Sequence, residues 1–163
     1  MFRIIKWLIA LPLGAFIFFN AYVYGNIITY RAVAPNKTAF MAMRMRQFQS
    51  EGKDVALDYR WVPYDRISVN LKKALIASED AKFAEHGGFD WGGIQYAIKR
   101  NKQSGEVKAG GSTISQQLAK NLFLNESRSY IRKGEEAAIT AMMEAVTDKD
   151  RIFELYLNSI EWH

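Results

Sequence analysis

The stretch "WLIALPLGAFIFFNAYVYGNIITY", from Trp7 to Tyr30, runs for 24 residues without a formal charge. As a helix it would span about 36 Å at ~1.5 Å per residue, enough to cross a hydrocarbon core of ~30 Å. Trp7 at one end and Tyr22, Tyr24 and Tyr30 at the other suit the two interfaces of a bilayer. Pro12 and Gly14 are tolerable in such a helix. A cleaved signal peptide is the rival reading; the length of the run and the lack of an A-x-A-like cleavage site argue against it. Arg3 and Lys6 favour a cytoplasmic N-terminus, although Arg31 and Lys37 follow just past the span. The expected division is a cytoplasmic N-terminus at 1–6, a transmembrane helix at 7–30, a juxtamembrane segment at 31–58 and one folded domain at 59–163.

Charge narrows the partners. Setting aside Arg3 and Lys6 leaves 20 basic against 17 acidic residues in 31–163, a net of +3. That suits an anionic headgroup or a phosphate. It is far from the concentrated basic face that nucleic acid requires, so no nucleic-acid partner is expected. With no cysteine, and with His86 and His163 standing 77 residues apart, no zinc constellation can be assembled. The glycine-bearing stretches match neither a P-loop nor a dinucleotide fingerprint.

The soluble part reads as mainly α. Phe40, Met41, Met43, Met45 and Phe48 carry Arg44 and Arg46 among them, which suits either a helix packed on the domain or one resting on lipid. "VALDYRWVPYD" reads as a short extended piece ended by Pro63. Ser68 can cap a helix that the pattern carries to the "HGG" at 86–88. Further helices are expected over "FDWGGIQYAIKRNKQ", over "TISQQLAKNLFL", from about Ile131 to Val146, and from near Asp148 through "RIFELYLNSI". A flexible loop, "SGEVKAGGS", joins the first two of these.

Four stretches carry chemistry. In "SEDAKFAEHGGFDW", helical spacing puts Glu79 on one stripe with Ile76, Phe83 and His86, while Asp80 points about 100° away. A carboxyl group among apolar neighbours loses solvation when charged and becomes useful for proton transfer; a solvated helix end is the alternative. In "GGSTISQQLAKNLF", Thr113 and Gln116 form a capping-box pattern, and a helix start with free N–H groups attracts phosphate. Gln116, Gln117 and Lys120 share a face opposite Ile114, Leu118 and Leu122. In "RKGEEAAIT", Arg132 and Glu136 are an i,i+4 ion pair, or, with Lys133, part of a phosphate clamp. In "DKDRIFELYLNSI", Glu154 and Asn158, four apart, can brace a site by hydrogen bonds.

Taken together, "EDAKFAEHGGFD" at 79–90, "GGSTISQQLAKN" at 110–121, "RKGEE" at 132–136 and "KDRIFELYLN" at 149–158 resemble the motifs of the peptidoglycan glycosyltransferases in order and spacing. The likeness is to their monofunctional, membrane-anchored type, and it covers about residues 60–160. It implies a lysozyme-like helical fold, single-pass in the bacterial inner membrane with the catalytic domain outside. It further implies polymerisation of lipid II onto a growing glycan strand by inverting β-1,4 transfer. Glu79 and Glu136 match the family's catalytic glutamates. The resemblance places Asp80, Phe83, His86, Lys108, Ser112, Thr113, Gln116, Gln117, Lys120, Arg132 and Lys133 around the substrate, with Glu154 and Asn158 as support. It implies a divalent cation, Mg or Mn, carried with the pyrophosphate near Glu136. The partners implied are membrane lipids and proteins of wall synthesis or division.

Two departures stand out. Ser115 occupies a position where the family has threonine, and the chain stops at "SIEWH" where members continue, so a domain short at its C-terminus is expected. The rival functions are a lysozyme-like glycan-cleaving enzyme with Glu79 as general acid, and an inactive membrane-anchored cell-wall binding module.

Overall fold

Helix α1, Phe2–Tyr30, runs unbroken through Pro12. Its polar residues satisfy themselves locally: Asn20, Asn26 and Thr29 each donate to the carbonyl four residues back, at 2.9, 2.8 and 2.9 Å. That removes free polar groups from an apolar surface. Trp7, Leu8, Leu11, Phe16, Ile17 and Phe18 are exposed, and the segment Lys6–Tyr30, of mean hydropathy 1.7, is long and apolar enough to cross a membrane. Val23 and Ile27 differ, being buried in the core of the domain. The last two turns of α1 therefore belong to the folded body as well as to the apolar segment.

The computed structural model describes residues 2–106, 110–127 and 129–160. Among them the chain is helical, with no strand. Helix α2, Ala39–Ser50, starts on Thr38, whose hydroxyl accepts from the Met41 N–H at 3.1 Å. It packs on α5, Ile114–Phe123, so the methionine-rich segment is a domain helix, although none of its residues is fully buried. Residues 53–63 have no regular structure and lead into a single 3-10 turn at Tyr64–Arg66. Helix α3, Val69–Glu79, follows, and α4, Trp91–Ser104, is capped by Asp90 at its start and by Gly105 in the left-handed region at its end. Ser68 takes the cap position of α3, but its side chain makes no capping bond.

Helix α5 is the central element. It packs against both α6, Tyr130–Val146, and α7, Lys149–Leu157. Ile114, Leu118 and Leu122 form the buried stripe that the periodicity predicts, meeting Ile139 and Met143 of α6 and Ile152, Phe153 and Tyr156 of α7. Ser129 and Asp148 cap α6 and α7 by accepting from Arg132 N–H and Arg151 N–H. Arg151 then ties the body to the end of α1. Its guanidinium donates to the carbonyls of Tyr30 at 2.7 Å and Val33 at 2.9 Å, pairs with Glu154 and lies over the Trp61 ring. The site described next is thereby held at a set distance from the apolar helix.

Candidate active site

Of the two adjacent acids, the buried one is Asp80. The sequence pattern carries the helix past Glu79 to His86; the structure ends it at Glu79, with Asp80 at φ −162° and ψ 75°. The cause is visible in the bonds that Asp80 makes. Its carboxylate meets His86 Nε2 at 2.9 and 3.1 Å and accepts from the Ile114 N–H at 3.1 Å. These bonds pull the chain out of the helix and send Phe83 into the core against Phe153, with Lys149 above its ring. Glu79, Phe83 and His86 therefore do not share a helical stripe, and Glu79 is exposed rather than held among apolar side chains. Asp80 does not turn outward; it is 7 % exposed.

The start of α5 also departs from expectation. Thr113 forms the full capping box with Gln116: its hydroxyl accepts from Gln116 N–H, and the Gln116 amide oxygen accepts from Thr113 N–H at 3.0 Å. The Thr113 hydroxyl also donates to the Gly88 carbonyl at 2.7 Å. With the Ile114 N–H on Asp80, the anion at this helix start is the protein's own carboxylate. Thr113, Ile114, Ser115 and Gln116 are all buried, so the N-terminus is not an open phosphate seat. Gly88 makes the close approach work, at φ 95° with a side chain excluded by Thr140 Cγ2.

Gln117 faces outward from the same helix. Its Nε2 donates to Glu79 Oε2 at 2.9 Å, and its Oε1 accepts from the Tyr156 hydroxyl at 3.3 Å. Exposed though it is, Glu79 is thus fastened to the glutamine–lysine helix. Tyr156 is buried, and that burial, reinforced by the charges of Glu79 and Asp80, pushes its hydroxyl up to about 12. Lys120, half-buried one turn beyond Gln116, makes no ion pair with a described residue.

The second glutamate is differently placed. Glu136 is 3 % exposed and accepts from Arg132 at 2.7 Å and from Lys133. Lys133 also donates to Ser112 Oγ at 3.3 Å, which joins the start of α6 to the residue just before the α5 cap. Both Glu136 oxygens are therefore engaged. No group of three or more ligating side chains among the described residues could hold a metal ion, so the residues present do not fit a divalent ion caged by protein alone. Lys108 lies outside the described residues.

Glu154 and Asn158 brace the fold as their spacing suggests. Glu154 accepts from Tyr64 N–H at 2.9 Å; Asn158 accepts from Val62 N–H at 2.8 Å and donates back to the Val62 carbonyl at 3.0 Å. They fix the segment that precedes α3, and so the start of the helix that carries Glu79. The sequence reading missed a second brace. Ser115 Oγ bonds Glu144, which also pairs with Lys149 at 2.7 Å, locking α5, α6 and α7 together. Serine keeps the hydroxyl that threonine would supply here. A groove of about 510 Å³ lies elsewhere, between α2, residues 55–62 and the end of α7. Val62 and Asn158 line it, but Glu79, Asp80, Gln117 and Glu136 do not, and its lining is chiefly apolar.

Comparison with known proteins identifies the family. Residues 44–163 match the family described as transglycosylase. The chain is 89 % identical over its full length to a biosynthetic peptidoglycan transglycosylase of Neisseria meningitidis serogroup C (strain 053442), and 88 % identical to that of serogroup B (strain ATCC BAA-335 / MC58). To the protein of the same name from Neisseria gonorrhoeae (strain NCCP11945) it is 86 % identical. In each case the alignment takes in all of this chain and 70 % of the relative. The chain belongs to the transglycosylase family, among the biosynthetic peptidoglycan transglycosylases.

Proposed function

We propose that this peptidoglycan glycosyltransferase lengthens glycan strands from lipid II with inversion, and that Glu79 is the base. The carboxylate takes the proton of the acceptor's 4-hydroxyl. The hydroxyl oxygen attacks the anomeric carbon of the donor, which is the growing strand. The bond from that carbon to the pyrophosphate oxygen breaks, undecaprenyl pyrophosphate leaves with the electron pair, and an α-linked donor becomes a β-1,4 link. The single observation that carries this reading is the part played by α5. Gln117 on its outer face reaches Glu79, and Ser112 just before its cap reaches the Lys133–Glu136–Arg132 cluster. One rigid, buried helix thus joins a solvent-open carboxylate to a set of cations.

In this reading Lys120, Arg132 and Lys133 neutralise the departing pyrophosphate, and Glu136 acts through the two bases it holds in place. Gln117 and Ser112 position sugar and phosphate, while Thr113, Gln116, Asp80 and His86 hold the helix start that aims them. A Mg²⁺ or Mn²⁺ ion would arrive with the pyrophosphate, held by phosphate oxygens and water. Helix α1 anchors the enzyme in the cytoplasmic membrane with its N-terminus inside. The body then lies on the outer face, where a lipid-borne substrate diffuses in two dimensions.

The test is incubation of the purified protein, in vesicles, with labelled lipid II and a divalent ion. Lengthening β-linked strands and released undecaprenyl pyrophosphate are expected. Shortening of preformed glycan with no growth would replace the polymerase with a lysozyme-like hydrolase.

A further inference from the structure

Resting on the assignment of Glu79 as base, we propose that Tyr156 is a positioning residue which, by anchoring Gln117, keeps one Glu79 oxygen occupied and leaves the other to take the proton. A glutamine amide can be turned end for end at almost no cost in shape, and its two ends do opposite things to a carboxylate. Its NH₂ donates to a carboxylate; its oxygen repels one. The carboxylate can only accept, so it turns Nε2 toward Glu79 Oε2 at 2.9 Å, while the Tyr156 hydroxyl on α7 holds the other end of the amide by donating to Gln117 Oε1 at 3.3 Å. A tyrosine hydroxyl can donate or accept, so Tyr156 sets where the amide sits and the carboxylate sets which end it presents.

Tyr156 is suited to this role. It is 3 % exposed and stacked on Phe153 at 6.2 Å, so its ring does not move to follow the amide. Its hydroxyl stays protonated, and so stays a donor, throughout the range in which a carboxylate changes charge. The titratable groups around Glu79 are Asp80, itself paired with His86 and the Ile114 N–H, and Tyr156 from α7; Gln117 from α5 is neutral.

The consequence is a division of labour within one carboxylate. Oε2 is held by the amide before and after proton transfer, and Oε1 is left for the acceptor hydroxyl. Protonation at Oε1 leaves Oε2 a carbonyl oxygen that still accepts from Gln117, so no side chain rearranges during the step.

The experiment measures polymerisation of lipid II over a range of substrate concentrations with the protein in vesicles, for wild type, Tyr156→Phe, Gln117→Met and the double variant, with thermal melts as a check on folding. Tyr156→Phe removes only the hydroxyl. It is expected to lower kcat by about threefold to tenfold, the value of one hydrogen bond, with KM within about twofold. Gln117→Met should lower kcat in the same way, and the double variant should add nothing further to Gln117→Met. A wild-type kcat for Tyr156→Phe, or additive losses in the double variant, overturns the relay while leaving the base assignment standing. If Glu79→Gln itself polymerises at the wild-type rate, the base assignment falls and the relay falls with it.

Discussion

Glu79 and Glu136, the two glutamates of the proposed reaction, have opposite surroundings. Glu79 stands exposed at the last residue of α3, its partner a neutral amide. Glu136 is buried in the first turns of α6 with a guanidinium and an ammonium on its two oxygens. A group that must gain and lose a proton in each turnover needs an oxygen free to face substrate and no fixed cation upon it. A group that must hold two cations in place needs burial and both oxygens engaged. On the proposed reading the pair divides into a chemical carboxylate and an architectural one, and burial alone does not pick out the base.

Stability separates the two most widely. Glu136→Gln leaves Arg132 and Lys133 facing each other without their anion and is expected to cost about 3 kcal/mol, the low end for a broken buried pair because Lys133 is half exposed. Glu79→Gln should stay within about 0.5 kcal/mol of wild type, as surface substitutions do. Equal losses in chemical denaturation would break the comparison.

Tyr156 probes the Glu79 side from beneath. Its folded-state value of about 12 lies above the ordinary 10.0, so the folded protein holds that proton more tightly than the unfolded chain. The stability this contributes is complete below pH 10 and is lost as pH climbs through 12, a fall of about 2 kcal/mol. Thermal melts from pH 9 to 12 should show it in wild type, with that component absent in Tyr156→Phe.

Gly88→Ala would force a Cβ to within 2.8 Å of Thr140 Cγ2 at a φ of 95°. A loss of about 2 kcal/mol is expected in denaturant titrations, because Thr140 sits one turn along α6 from Glu136 and cannot yield freely. The smallest effect is that of Thr113→Ala. Removing the capping hydroxyl should cost about 1 kcal/mol of folding stability in the same titration, with a modest fall in activity as Gln117 loses its exact bearing on Glu79.

Where the sequence spoke clearly, its signals were local. Thr113 and Gln116, three residues apart, announce a capping box and form one; Ile114, Leu118 and Leu122 mark the face that α5 buries. Glu154 and Asn158 were legible as braces, but their targets, Tyr64 and Val62, lie 90 and 96 residues away and no spacing could name them. The end of α3 was misread for the same reason. The helix pattern continues smoothly through Phe83, and what stops it is a bond from Asp80 to Ile114, 34 residues on. That bond also fills the helix start that looked open to phosphate. Arg151 and Tyr156 had no local signature beyond an ordinary packing helix, and their roles exist only once α1, α5 and α7 are brought together.

The measurement that tests the account most directly is the polymerisation rate of Glu79→Gln beside its affinity for lipid II, both in vesicles. The substitution keeps size and hydrogen bonding at an exposed position and removes only the ability to accept a proton. Chain growth is predicted to fall by about a thousandfold, with lipid II still bound at wild-type strength. Growth at the wild-type rate would contradict the assignment of Glu79 as the base.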